Sequence, residues 1–175
     1  CGLYEVGALP SGERTEQGIC RIVVKAPTPG ATSRIGLMVN FLTPEAYNGT
    51  GGKSLYDFTS VGGRSTRVSL DRPQSLSVAS AESNGFYEQM FLPWLRREGI
   101  QVECFADLDL DESASLALAY DLIVMVGHHE YWTREMRDHL DAFVLSGGNL
   151  AVLSGNTCFR QVRLEGPTRR NVVCY

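Results

Sequence analysis

The stretch "DLIVMVGHHEYWTREMRDHLDAFVLSGGNLAVLSG", residues 121–155, decides the architecture. It opens on "DLIVMVG" (121–127), a continuous aliphatic run of the kind that marks a strand buried on both faces. The period then changes. In "TREMRDHLDAFVLSGG" (133–148), Met136, Leu140, Phe143 and Val144 share one helical face, and Thr133 is placed to cap the start. "NLAVLSG" (149–155) is again apolar. Strand, helix and strand with aliphatic strands is the repeating unit of a parallel sheet joined by helical crossovers.

Upstream segments extend the pattern. "QVECF" (101–105) reads as a strand, and "DESASLALAY" (111–120) as a short helix. "GFYEQMFLPWLRREG" (85–99) spaces Phe86, Met90, Phe91, Trp94 and Leu95 at helical intervals and ends at Gly99, with Pro93 expected to kink or divide it. "IGLMVNF" (35–41) is another unbroken apolar strand. "ICRIVVKA" (19–26) alternates apolar and polar residues, which suits a half-buried strand, and "PTPGATS" (27–33) is a connector. Residues 42–84 are long, rich in Gly and Ser, and without helical period, although "TRVSLDRP" (66–73) suits a short β piece. The expected fold is α/β: one domain over 1–175, with a β segment (1–33) leading into a three-layer, doubly wound, mostly parallel sheet (34–175).

Composition narrows the function classes. The net charge is −4, which argues against a nucleic-acid binder. No apolar run approaches the ~18 residues of a membrane span, and the first residues lack the basic and apolar regions of a signal peptide. The five cysteines (Cys1, Cys20, Cys104, Cys158, Cys174) form no C-x-x-C pair. They therefore suit a reducing, cytoplasmic setting, with Cys20, Cys104 and Cys158 read as small core residues. Opening on Cys1 rather than Met, the chain is expected to be a mature product, a processed piece or a trimmed one.

In a parallel α/β layer, ligands gather at the carboxyl ends of the strands. Tyr47 and Asn48 follow the first apolar strand, Asp107 and Asp109 the second, His128, His129, Glu130, Tyr131 and Trp132 the third, and Asn156 the fourth. Residues two apart in a tight turn can converge, so His128 and Glu130 are expected to face one pocket while His129 turns away. The bland reading is that they only cap the following helix. The H-E-x-x-H zinc-protease pattern is missing, and "LSGNTCF" offers no nucleophile elbow, which leaves Cys158 as a packing residue.

"AYNGTGGKSLYDF", "NGFYEQMFLPWLRREG", "DLDLD" and "GHHEYWTREMRDHLDAFVLSGGNLAVLSGNTCFRQVR" together resemble the catalytic domain of the N,N-dimethylformamidase large (β) subunit family. That resemblance implies a class I glutamine amidotransferase-like (flavodoxin-like) fold. It also implies a single iron ion (Fe3+) bound by two tyrosinates and one glutamate, with zinc and manganese as the competing metals. Carried over, the glutamate is Glu130, one tyrosine is Tyr47, and the other is Tyr4 in "CGLYEV", with Tyr56 as its competitor; His128 and Asn156 stand beside the metal as catalytic groups with Glu130. Phenolate and carboxylate are hard anionic donors suited to a trivalent cation. The implied activity is hydrolysis of the C–N bond of a small amide, with a small second subunit and an oligomeric assembly as implied partners. Two other readings stand beside it. One is a non-catalytic amidotransferase-like binding module. The other is a sugar-processing site built on Asp107 and Asp109, a pair that equally suits a helix entry.

Overall fold

The structure is a computed structural model that describes residues 1–7, 19–74 and 86–174. Its centre is a four-stranded parallel sheet of β3 (Ile35–Val39), β5 (Glu103–Ala106), β6 (Leu122–His128) and β8 (Asn149–Gly155), in the order β5-β3-β6-β8. Four of the strands expected from apolar runs are therefore present, and they pair in parallel.

Side chains alternate across a strand, so each strand feeds both faces. Met38, Phe105, Ile123 and Met125 point to one face, where they pack with Leu110, Ala117, Met136, Leu140 and Phe143. Those residues come from α3 (Asp107–Glu112), α4 (Ala114–Ala117) and α5 (Arg134–Leu145). Leu37, Val39, Cys104, Val124 and Val126 point to the other face, against Leu92 of α2 (Phe86–Arg97) and against Leu3 and Val23. Each such side chain contributes roughly 1.5–3 kcal/mol on burial, which is why continuous aliphatic strands demand cover on both sides.

Leu3 and Val23 belong to the antiparallel pair β1 (Gly2–Gly7) and β2 (Ile19–Val24). Its alternate residues Tyr4, Val6, Ile22 and Val24 are exposed, matching the half-buried strand read from 19–26. Arg21 anchors the pair to the sheet by donating to the Asn40 carbonyl at 2.8 Å and lying over the Phe41 ring. A second antiparallel sheet joins β4 (Arg67–Ser69), β10 (Arg163–Glu165) and β11 (Asn171–Val173), so 66–73 does contain a β piece. A short parallel pair, β7 (Tyr131–Trp132) with β9 (Arg160–Gln161), closes the list.

Several expectations need correction. Residues 111–120 do not form one helix: α3 begins at Asp107, and Ser113 separates it from α4. Pro93 does not divide α2, which runs through it. The segment after β3 is not wholly irregular, since it contains the short helix α1 (Leu42–Tyr47) and 3-10 turns at Thr50–Gly52 and Asp57–Thr59. Residues 75–84 of that expected irregular segment lie outside the described residues. β8 is a margin strand with Val152 and Leu153 exposed, and Val144 lies off the buried face of α5. Cys104 is a core residue, whereas Cys20 is exposed and Cys158 half-buried. Thr133 caps α5 as read, its hydroxyl accepting from Met136 N–H at 3.1 Å. Gly148 lets α5 turn into β8, because a Cβ there would overlap the Phe143 ring. Among the described residues no helix is long and apolar enough to cross a membrane.

Candidate active site

The order β5-β3-β6-β8 means that the chain leaves β3 toward one side of the sheet and returns to β6 on the other. Connections diverge there and open a crevice above the carboxyl ends of β3 and β6. Gly127, at φ +95°, bends the end of β6 into that crevice, and a Cβ there would fall 2.8 Å from the Tyr87 ring. His128 closes the strand, and Glu130 sits in the turn to β7 with only 3% exposure.

Two phenols converge on that buried carboxylate. The Tyr47 hydroxyl, at the end of α1, donates to Glu130 Oε2 at 2.8 Å, and the Tyr56 hydroxyl donates to Oε1 at 2.7 Å. Their rings lie 4.3 Å apart, and Phe58, 70% exposed at the mouth, stands 5.0 Å from Tyr56. On the other side, His128 Nε2 is 3.4 Å from Glu130 Oε2 and 3.1 Å from Asn156 Nδ2. Asn156 reaches it because Gly155 of β8 is the parallel partner of His128, and because Asn tolerates the left-handed backbone (φ 48°) needed to turn back over the rim. His128 Nε2 thus stands between a donor and an anion. With its lone pair free it accepts from Asn156; once protonated it pairs with Glu130.

Burial first, then the adjacent Glu130 carboxylate, holds the Tyr47 phenol up at about 12. Tyr56 is pushed higher still by burial and by its hydrogen bonds to Tyr131, Tyr47 and Glu130, while burial lifts Tyr131 to about 12. Without a cation the phenols keep their protons and satisfy the carboxylate.

His129 turns into the interior, where burial pulls its imidazole down to about 3, and among the described residues its Nε2 has no partner. Trp132 is buried too, its indole donating to the His129 carbonyl at 2.6 Å. Tyr4 makes none of the hydrogen bonds described at Glu130. It lies half-exposed on β1 opposite Ile22, and both oxygens of Glu130 are taken by Tyr47 and Tyr56. The second phenol on Glu130 is that of Tyr56. Asp107 and Asp109 are occupied elsewhere. Asp107 accepts from the N–H groups of Phe41 and Leu42 at 2.9 Å and thereby pins the start of α1, while Asp109 takes Ala106 N–H and Lys25. The sugar-processing reading loses its carboxylates.

Among the described residues no group of three or more His, Cys, Asp or Glu side chains gathers as a metal cluster would. What gathers is two phenols and one carboxylate, and this donor set fits a hard trivalent cation. Over residues 1–175 the chain matches the family model described as N,N-dimethylformamidase beta subunit-like, C-terminal. The chain belongs to this family. No curated protein matches it. Tyr131, placed by its sequence at the same sheet edge without a role, also belongs to the site. It is the Y of H-x-E-Y-W, directly after Glu130, and its ring meets Tyr56 edge-on at 6.2 Å. The position directly after the acid was the available signal.

Proposed function

We propose that this chain carries the metal centre of an amide hydrolase, in which Tyr47, Tyr56 and Glu130 hold a single ferric ion and a small linear amide is cleaved at its C–N bond. The observation that carries the reading is the convergence of two phenol oxygens on opposite oxygens of one buried carboxylate. Membership of the dimethylformamidase-like family supports it. The strand order supports a class I glutamine amidotransferase-like fold without separating it from other doubly wound sheets. The family's description as beta subunit-like supports assembly with a second subunit.

When bound, the ion supplies Lewis-acid polarisation of the amide carbonyl and acidifies a water. The rest falls to side chains of this chain. His128 Nε2 takes the proton of the attacking water and returns it to the leaving nitrogen. Asn156 Nδ2, beside it at the rim, donates to the oxygen that gains charge as water adds to the carbonyl carbon. The exposed Phe58 ring offers an apolar wall to the substrate.

Elemental analysis with a visible spectrum tests this. The expected result is one iron per chain and a broad tyrosinate charge-transfer band, lost together with activity in Glu130→Ala. Tyr56→Phe should change the band while Tyr4→Phe leaves it intact. A colourless, iron-replete sample overturns tyrosine ligation. Activity that survives in metal-free Glu130→Ala overturns the hydrolase mechanism, and zinc or manganese at full occupancy overturns the choice of iron.

A further inference from the structure

The turn that carries Glu130 leaves two main-chain donors buried, the N–H groups of Glu130 and Tyr131. Buried donors need acceptors, and here both use one atom. The Thr43 hydroxyl oxygen accepts from Glu130 N–H at 2.9 Å and from Tyr131 N–H at 3.2 Å. Thr43 is fully buried in α1, four residues before Tyr47, and residues so spaced share a helix face. Asn40 adds a second tie: its Oδ1 accepts Thr43 N–H at 3.1 Å, while its Nδ2 donates to the His128 carbonyl. One end of α1 is thus fastened to the backbone of the turn, and the other end delivers a phenol to the side chain of the same turn.

We infer that Thr43 is a positioning residue whose hydroxyl sets the register of α1 against residues 128–131, and hence the placing of the Tyr47 phenol on the Glu130 carboxylate. For its metal readout this rests on the ferric-site reading above; for its geometry it does not. Valine has the shape of threonine but no acceptor. In Thr43→Val, α1 must shift off the turn or leave two buried N–H groups unpaired.

The test is titration of metal-free protein with ferric nitrilotriacetate, followed in the visible band, for wild type, Thr43→Val, Thr43→Ser and Phe143→Leu. Phe143 packs on Gly148 at the opposite end of the sheet and controls for loss of stability alone. Thr43→Val should weaken ferric affinity by ~10–100-fold, in line with loss of a residue that orients ligands, and Thr43→Ser should restore most of it. Phe143→Leu should lower Tm with affinity unchanged. Wild-type affinity in Thr43→Val, or a loss equal to that of Phe143→Leu at equal Tm, overturns the inference. Should Thr43→Val fail to fold, Thr43→Ala is read the same way. Should wild type bind no iron, the ferric reading falls, and crystal structures of the metal-free proteins decide the positioning role. A Tyr47–Glu130 contact lengthened beyond 2.8 Å in the variant supports it, and an unchanged contact overturns it.

Discussion

His128 and His129 are neighbours with opposite fates. His128 is half-buried at the rim beside Glu130 and Asn156, while His129 is enclosed in the core. Only the first is open to the crevice. His128→Ala should therefore keep its metal and lower kcat by ~100–10,000-fold, the usual span for a lost general base, measured as turnover at matched metal content. Unchanged kinetics would remove it from proton transfer. Spacing in the sequence was enough to separate the two histidines, because alternate residues of a turn face alternate sides. Spacing could not choose between Tyr4 and Tyr56. Each stands in a short motif, and what decides is which chain segment folds over Glu130, a tertiary fact. Thr43 was invisible for a related reason, since a hydroxyl accepting from a turn 87 residues away leaves no local trace.

Among the elements, the parallel strands were readable because two-sided burial forces an unbroken aliphatic run. α1 was not. Its six residues are too few to show a helical period, and it is held by Asp107 and Asn40 rather than by propensity. The marginal position of β8 was equally hidden, since an apolar run does not say which strand ends the sheet. The start of β5 yields a pH prediction. Glu103 is fully buried, which pushes its carboxyl up, yet donors from Thr32, Gly30 and Ser33 outweigh burial and hold it at about 2, below the ordinary 4.5. Tyr120 adds a fourth partner at 3.1 Å. A depressed carboxyl stabilises the fold above its ordinary range, and that stability is lost as pH falls from 4.5 toward 2. Its share at neutral pH is ~3 kcal/mol. Glu103→Gln should lose most of that by denaturant unfolding at pH 7. Wild type and variant should then converge in stability as the pH approaches 2, whereas parallel curves would contradict the assignment.

At the scale of the whole molecule, an ion pair between Arg72 and Glu45 helps tie the loop that supplies Tyr56 to α1, beside the hydrogen bond from Leu55 N–H to the Ala46 carbonyl at 2.9 Å. Glu45 is 1% exposed, and burial lifts its carboxyl to about 7 even with Arg72 against it. The Arg72 guanidinium also donates to the carbonyls of Thr50 (2.9 Å) and Lys53, and Gln74 Nε2 reaches Glu45 Oε2 at 3.1 Å. Removing Arg72 leaves a buried acid without its cation and loosens the loop. Arg72→Ala should cost ~3–5 kcal/mol in unfolding free energy and weaken metal retention through Tyr56. Full iron content at wild-type stability would show that the loop is held by other means.

Tyr47 and Glu130 stand 83 positions apart along the polypeptide, on connections that follow different strands. No nascent fragment that stops short of β6 contains both, and even a finished chain lacks the centre until β3 and β6 lie side by side. A cation held as proposed would therefore have to wait for β3 and β6 to pair.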